Sequence, residues 1–136
     1  TINDKAVFGV LKVLFHGEPK IKEFIKTNLE VDKITNARLK KLIDRMLPIM
    51  NSSPSEIIAA YGDEVDRKII SQIMVEEDSS IDFMQMSLDC ISSLKKDYAR
   101  EKIQQFRQKI REFEAEGKDT TELMSKVLQM QKDMNA

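Results

Sequence analysis

The stretch IREFEAEGKDTTELMSKVLQM, from Ile110 to Met130, predicts two helices that fold back on each other. Gly117 is typical of a helix end, and Asp119 followed by Glu122 predicts a capping box that begins a new helix. The apolar residues of the second helix recur three or four positions apart, at Leu123, Val127, Met130 and Met134. On folding back they come opposite a matching series on the first helix, Phe113, Ile110, Phe106 and Ile103. The sequence therefore predicts a C-terminal helical hairpin with an apolar seam.

The first helix of this hairpin extends far back along the chain. Residues 80–116 contain neither Gly nor Pro. Apolar residues recur there in steps of three or four, at Ile81, Met84, Leu88, Ile91, Leu94, Tyr98, Ile103, Phe106, Ile110 and Phe113. One continuous helix is predicted. At about 1.5 Å per residue it would be longer than a compact domain of this size is wide, so its far end is expected to project.

Three earlier segments have helical periodicity. The segment Ala6–Phe15 is apolar on nearly every side, which is typical of a helix at the centre of a bundle. The segments 19–29 and 37–50 are amphipathic, and their apolar residues are Ile21, Phe24, Ile25 and Leu29 in the first and Leu39, Leu42, Ile43, Met46 and Leu47 in the second. Pro48 is expected to strain or end the third helix.

Capping residues define a fourth and a fifth helix. Ser53 followed by Pro54 and Glu56 predicts a capping box. Gly62 is expected to close this short helix. Asp63 is expected to cap the fifth helix, whose buried side is predicted to contain Val65, Ile69, Ile70 and Ile73. The chain is thus predicted to be all-α, with a compact helical bundle, a long exit helix and a C-terminal helical hairpin. The bundle is predicted over residues 1–95, and the end of the long helix plus the hairpin over residues 96–136.

Composition and charge limit the classes of function that are expected for this chain. The 136 residues, 41% hydrophobic and 33% charged, are typical of one globular domain. A formal net charge of −1 provides no global field towards nucleic acid or an anionic membrane, so neither strong nucleic-acid binding nor membrane association is expected. Cys90 is the only cysteine, so an internal disulfide is excluded. Cys90 is predicted to be a small buried residue, and the protein is predicted to lie in a reducing, cytoplasmic setting.

The sequence contains no catalytic or metal-binding pattern of useful specificity. His16 is the only histidine and is expected to satisfy the last carbonyls of its own helix. The acidic group Glu76–Asp78 is typical of a solvated turn rather than a cation site. No catalytic residue, metal or cofactor is therefore predicted. An enzyme would require a concave site around His16 or this acidic group.

Two apolar residues of the last helix are not needed for the seam. Met124 and Leu128 are four residues apart on its flank. Apolar residues left over on a projecting two-helix unit are typical of a partner-binding site, and methionine suits an adaptable interface. The alternative is that they widen the seam or contact the long helix.

Four segments carry a resemblance to a known family: KAVFGVLKVLF, EPKIKEFI, NARLKKLIDRMLPI and, above all, KKDYAREKIQQFRQKIREFEAEGKDTTELMSKVLQMQKDM. In pattern and order they resemble the C-terminal helicase-binding domain of the bacterial replicative primase, the DnaG-type family. The resemblance covers essentially the whole chain. It implies a non-catalytic fragment of a larger DNA primase, whose zinc-binding and polymerase domains lie upstream.

The resemblance also implies partners and contact residues. In that family the hairpin docks on the N-terminal domains of the replicative helicase, the bundle helps to modulate the helicase, and single-stranded-DNA-binding protein is a conceivable second partner. Carried over to this sequence, the hairpin framework is Phe106, Ile110, Phe113, Leu123, Val127 and Met130. The direct contacts are Met124 and Leu128, with Arg107 and Arg111 as polar anchors. In isolation a monomer or a domain-swapped dimer is expected.

Two other identities remain open at this level. The bundle also resembles the N-terminal domain of the replicative helicase itself, although the helical end with Gly117 as its turn favours the primase. An unrelated helical regulatory protein that dimerises through its long helix is the alternative from a different class.

Overall fold

In the computed structural model, which describes residues 1–76 and 78–135, the chain is all-α, as predicted. The described residues form seven α-helices: α1 (Ile2–His16), α2 (Pro19–Asn28), α3 (Ala37–Met46), α4 (Pro54–Ala59), α5 (Glu64–Val75), α6 (Phe83–Ala115) and α7 (Thr121–Met134). The chain divides into two compact units, Thr1–Leu94 and Lys95–Ala136. The sequence placed this division between residues 95 and 96.

Helix α1 is the central helix of the first unit, as its apolar sequence predicted. Its buried residues are Asn3, Ala6, Val7, Val10, Leu11, Val13 and Leu14. Helices α2, α3 and α5 all contact it. Because side chains point outwards in every direction from a helix, one that is covered on several sides must be apolar on several sides. The core of this unit is therefore built around α1.

Helix α3 packs against α1 through the face that the sequence predicted. Its four buried residues are Leu39, Leu42, Ile43 and Met46. The Asn36 side chain begins the helix by accepting a hydrogen bond from the Leu39 N–H at 3.1 Å. The helix ends at Met46, two residues before Pro48, and continues as a 3-10 turn over Leu47–Ile49. Proline cannot donate the next helical hydrogen bond, so the prediction that it ends this helix is confirmed.

Helix α4 begins as predicted but ends earlier. The Ser53 hydroxyl accepts from the Glu56 N–H at 3.3 Å and donates to the Glu56 carboxylate at 2.9 Å. The predicted end at Gly62 is wrong, because α4 ends at Ala59. Two arginines satisfy the carbonyls beyond that end. Arg45 donates to the Ala60 oxygen and Arg67 to the Tyr61 oxygen, each at 2.7 Å, so no glycine is needed there.

Helix α5 has the predicted cap but a narrower buried face. The Asp63 carboxylate accepts from the N–H groups of Val65 and Asp66 at 2.7 and 3.1 Å. These bonds, that from Asp66 first, lower the pKa of Asp63. Ile70 and Ile73 are buried, whereas Val65 is 52% exposed and was wrongly placed in the core. At about 100° per residue, Val65 lies roughly 110° around the helix from the midpoint of the two isoleucines.

His16 satisfies a carbonyl of a different helix from the one predicted. Its Nε2 lies 2.8 Å from the carbonyl oxygen of Ile73, in the last turn of α5. The Val13 carbonyl, near the end of α1, accepts instead from the Gly17 N–H at 2.8 Å. The imidazole also stacks on Phe83 with ring centroids 6.4 Å apart. The histidine therefore joins α1 to the end of α5 and the start of α6.

Cys90 is half-buried within the first unit rather than fully buried as predicted. Burial, and secondarily the charge of Asp89, raises the pKa of its thiol. A raised pKa keeps the sulfur protonated near neutral pH, where the thiolate is the reactive form. This environment favours a packing role for Cys90 over a nucleophilic one.

Candidate partner-binding hairpin

A left-handed glycine ends α6 and starts the fold-back of the hairpin. Gly117 has a φ of 71°. Its N–H donates to the Glu114 oxygen at 3.1 Å, and the Lys118 N–H donates to the Phe113 oxygen at 2.8 Å. This pair of bonds is a Schellman motif, which satisfies the last carbonyls of a helix and turns the chain away. The Lys118 ammonium lies 5.3 Å from the centre of the Phe113 ring. The predicted helix end at Gly117 is confirmed.

Helix α7 begins one residue later than the predicted capping box requires. The Asp119 carboxylate accepts from the N–H of Thr121 at 3.1 Å and from its hydroxyl at 2.7 Å. These hydrogen bonds, the hydroxyl first, lower the pKa of Asp119. The first helical carbonyl is that of Thr120, which accepts from the Met124 N–H at 2.9 Å. Glu122 pairs with Lys126 at 3.6 Å, so Asp119 stabilises the turn but the capping box was wrong.

The apolar stripes of α6 and α7 are protected from solvent as the seam requires. Ile103, Leu123 and Val127 are buried. Half-buried are Phe106, Ile110, Phe113, Met130 and Met134. A direct contact joins the two helices, since the Lys126 ammonium lies 5.7 Å from the centre of the Phe106 ring. All six predicted framework residues thus lie on protected stripes of one unit, while their individual pairing remains a prediction.

The predicted contact residues lie on the surface of the same unit. Met124 is 44% exposed and Leu128 is 66% exposed. They are the only large hydrophobic side chains of residues 95–135 that are so exposed. Arg107 and Arg111 are exposed on α6, where Arg111 donates to the Gln108 amide oxygen at 2.8 Å. Because most of Leu128 faces solvent, the alternative that these two residues widen the seam is disfavoured.

The first unit contains a cleft, which the sequence did not predict. It encloses about 480 Å³ and is lined mainly by apolar atoms. Phe8, Ile69 and Met86 are among the residues that line it. Lys12 and Glu76 also line the cleft and form an ion pair at 3.2 Å. The cleft forms where segments distant in sequence meet, from α1, α5 and α6, so no local pattern could reveal it.

Glu76, which belongs to the acidic group considered for an enzyme site, lines the cleft, but the described residues form no metal-binding cluster there. Among the described residues, no three histidine, cysteine or acidic side chains are close enough to share a metal ion. Glu77, part of the predicted acidic turn, lies outside the described residues. Asp78 accepts from the hydroxyl and N–H of Ser80, which lower its pKa in that order. The apolar lining of the cleft suits an apolar side chain or ligand better than a charged substrate.

Replacing Gly117 by alanine is expected to destabilise the hairpin by about 1 kcal/mol, because an L side chain at positive φ is strained. The measurement is hydrogen exchange at the amides of α7, which should be faster in the variant. Gly62→Ala is the matched control. A methyl group there would have no neighbour within 4 Å, and Gly62 does not have a positive φ. Equal protection of α7 in both variants would contradict a structural role for the left-handed turn.

No family model, curated protein or solved structure matches the chain. Over the residues that the structure describes, no helix combines the length and apolar character needed to cross a membrane.

Proposed function

We propose that this chain is a non-catalytic protein-interaction domain of a bacterial DNA primase, which binds the N-terminal domains of the replicative helicase. The observation that carries the proposal is the exposed pair Met124 and Leu128 on a two-helix unit at the end of the chain. The resemblance of the sequence to the helicase-binding domain of DnaG-type primases supplies the partner. The bundle of the first unit would then modulate the helicase.

The framework of the hairpin supports this role because it fixes the contact residues in place. Leu123 and Val127 are buried, and each directly precedes an exposed contact residue on α7. Buried side chains on one side of a helix determine which residues face solvent on the other. Exposed apolar side chains on such a rigid scaffold can enter a hydrophobic groove of a partner with little loss of entropy.

Tethering is the physical contribution of such a domain. Linking primase to the helicase keeps it near newly unwound DNA and raises its effective concentration there. A modest interface is then sufficient, since the second encounter is intramolecular. Primer synthesis becomes coupled to unwinding, while the chemistry stays in the other domains of the primase.

The test is a calorimetric titration with the replicative helicase of the organism that encodes this chain. We expect the double variant Met124→Ser/Leu128→Ser to lose about tenfold or more in affinity, since exposed apolar anchors contribute mainly to binding. A chain truncated after Tyr98 should lose binding altogether. Val75→Ser, which changes an apolar residue of α5 that is 75% exposed, is the matched control and should bind like wild type.

Two outcomes would overturn the proposal. If the wild-type chain did not bind the helicase, the resemblance would have supplied the wrong partner. If the truncated chain bound as well as the intact one, the hairpin would not be the docking element. Sedimentation of the chain alone provides a further check, because a stable dimer through the long helix would favour the regulatory alternative.

A further inference from the structure

The two faces of the hairpin differ in the position of their residues relative to the seam. Successive residues are about 100° apart around a helix, so the residue after a seam residue points to one side and the residue before it to the other. Helices α6 and α7 run antiparallel, joined by a short turn and the contact between Lys126 and Phe106. In an antiparallel pair that meets along one seam, the residues that follow the seam on both helices share one face.

This rule places the arginines beside the exposed apolar pair. Arg107 follows Phe106, Arg111 follows Ile110, and Arg100 follows the buried Ala99. On α7, Met124 follows Leu123 and Leu128 follows Val127. We call this surface the arginine face; it comprises Arg100, Arg107, Arg111, Met124 and Leu128, all of them exposed. Both large hydrophobic residues exposed in this unit therefore lie on the face that contains its arginines.

The opposite face has a balanced charge. The charged residues that precede the seam are Lys102, Lys109, Glu112, Glu122, Lys126 and Asp133, three basic and three acidic. Several are engaged within the unit: Lys126 pairs with Glu122 at 3.6 Å, and Asp133 accepts from Gln129 at 2.9 Å. On the arginine face only Glu114, which follows Phe113, opposes the three arginines. The positive charge and the exposed apolar surface of the hairpin are thus on the same side.

We propose that the arginine face is the docking face of the hairpin, and that its occupant is a partner helix with apolar side chains flanked by carboxylates. The inference rests on the proposed function, in which the hairpin docks on another protein. Two antiparallel helices present a groove in which a third helix packs. Met124 and Leu128 would contact its apolar stripe, while the arginines of α6 would pair with its carboxylates.

The composition of the arginine face favours a protein over nucleic acid as the occupant. Arginine forms planar, two-bonded pairs with carboxylates and with phosphates, so the other residues of the face decide between the two classes of partner. Exposed Met124 and Leu128 would gain nothing from phosphates. Single-stranded nucleic acid is bound by basic grooves with aromatic residues on which bases stack, and no aromatic residue belongs to this face.

The experiment compares the two sides of the hairpin in variants of equal charge. Arg107→Gln/Arg111→Gln removes two positive charges from the arginine face. Lys109→Gln/Lys132→Gln removes two from exposed positions outside it. All are titrated calorimetrically into the replicative helicase at low and high salt, after circular dichroism has established that they are folded. We expect the arginine variant to lose about tenfold in affinity and much of the salt dependence, and the lysine variant to stay within about twofold of wild type.

The outcomes separate this inference from the proposed function. If wild type binds and both variants weaken equally, the docking face is assigned wrongly while the helicase adaptor stands. If wild type does not bind, the adaptor falls and the docking face with it. Fluorescence anisotropy with a short single-stranded DNA provides the third outcome. Binding that is lost in Arg107→Gln/Arg111→Gln but kept in Met124→Ser/Leu128→Ser would assign the face to nucleic acid and overturn the inference.

Discussion

Replacing Leu11 by alanine is expected to lower the free energy of unfolding of the bundle by about 2–5 kcal/mol, as for other fully buried leucines. Leu11 has no exposed surface and lies in the middle of α1, the helix that contacts α2, α3 and α5. With neighbours on several sides, the cavity left by the lost methyl groups cannot be closed by the shift of a single element. Urea unfolding followed by far-UV circular dichroism measures the change.

The same substitution at Leu128 separates stability from binding. Leu128 is 66% exposed, so Leu128→Ala should change the free energy of unfolding by less than about 0.5 kcal/mol. It should nevertheless weaken the proposed interaction with the helicase, whereas folded Leu11→Ala should bind like wild type. A loss of stability at Leu128 as large as that at Leu11 would mean that its side chain is buried, which would contradict its assignment as a contact residue.

The parts of the fold that were predicted correctly depend on local pattern. The apolar sequence of α1 requires burial on several sides, and the stripe of α3 from Leu39 to Met46 requires one packed face. The length of α6 follows from the absence of Gly and Pro between Phe83 and Ala115. In each case the periodicity of one segment contains the information, because a helix closes its backbone hydrogen bonds within itself.

Two of the wrong predictions involve residues distant in sequence. Beyond the end of α4, the Ala60 carbonyl accepts a hydrogen bond from Arg45, which lies 15 residues earlier in the sequence. His16 bonds a carbonyl 57 residues away, at Ile73. The sequence shows which backbone carbonyls need a hydrogen-bond donor, but it does not show which distant side chain will be close enough to donate. The predicted start of α7 is wrong by one residue. The Asp119 carboxylate accepts a hydrogen bond from the Thr121 N–H and does not form a capping box.

The candidate site divides in the same way. Exposure of Met124 and Leu128 could be predicted because the short hairpin has too few apolar partners for them. The arginine face could not be recognised from one helix alone, since it requires that α6 and α7 meet along a shared seam. The cleft lined by Phe8, Ile69 and Met86 requires three helices from distant parts of the chain. Pattern therefore predicts which residues are available, and packing decides which of them form a common surface.

Replacing Gly9 by alanine is expected to destabilise the bundle. This is opposite to the intrinsic helix propensity, which favours alanine over glycine by about 1 kcal/mol. A methyl group at Gly9 would lie 2.5 Å from the Cys90 sulfur, far inside their van der Waals separation. The sulfur is bonded directly to the Cβ of Cys90, so it can move away only by rotation about the Cα–Cβ bond of that residue or by a shift of α1 away from α6. Overpacking of this kind costs about 1–3 kcal/mol. Thermal and urea unfolding of the variant measure the balance.

A double-mutant cycle with Cys90→Ala identifies the cause. With the sulfur removed, the new methyl group has no close neighbour except the Met86 side chain at 3.9 Å, an ordinary contact. Gly9→Ala should then be neutral or stabilising, so the effect of one substitution reverses when the other is present. The coupling energy should be about 1–3 kcal/mol in favour of the pair. If Gly9→Ala were equally destabilising in both backgrounds, its cost would come from the backbone of α1, and the close approach of the two helices would not explain why a glycine occupies the middle of the central helix.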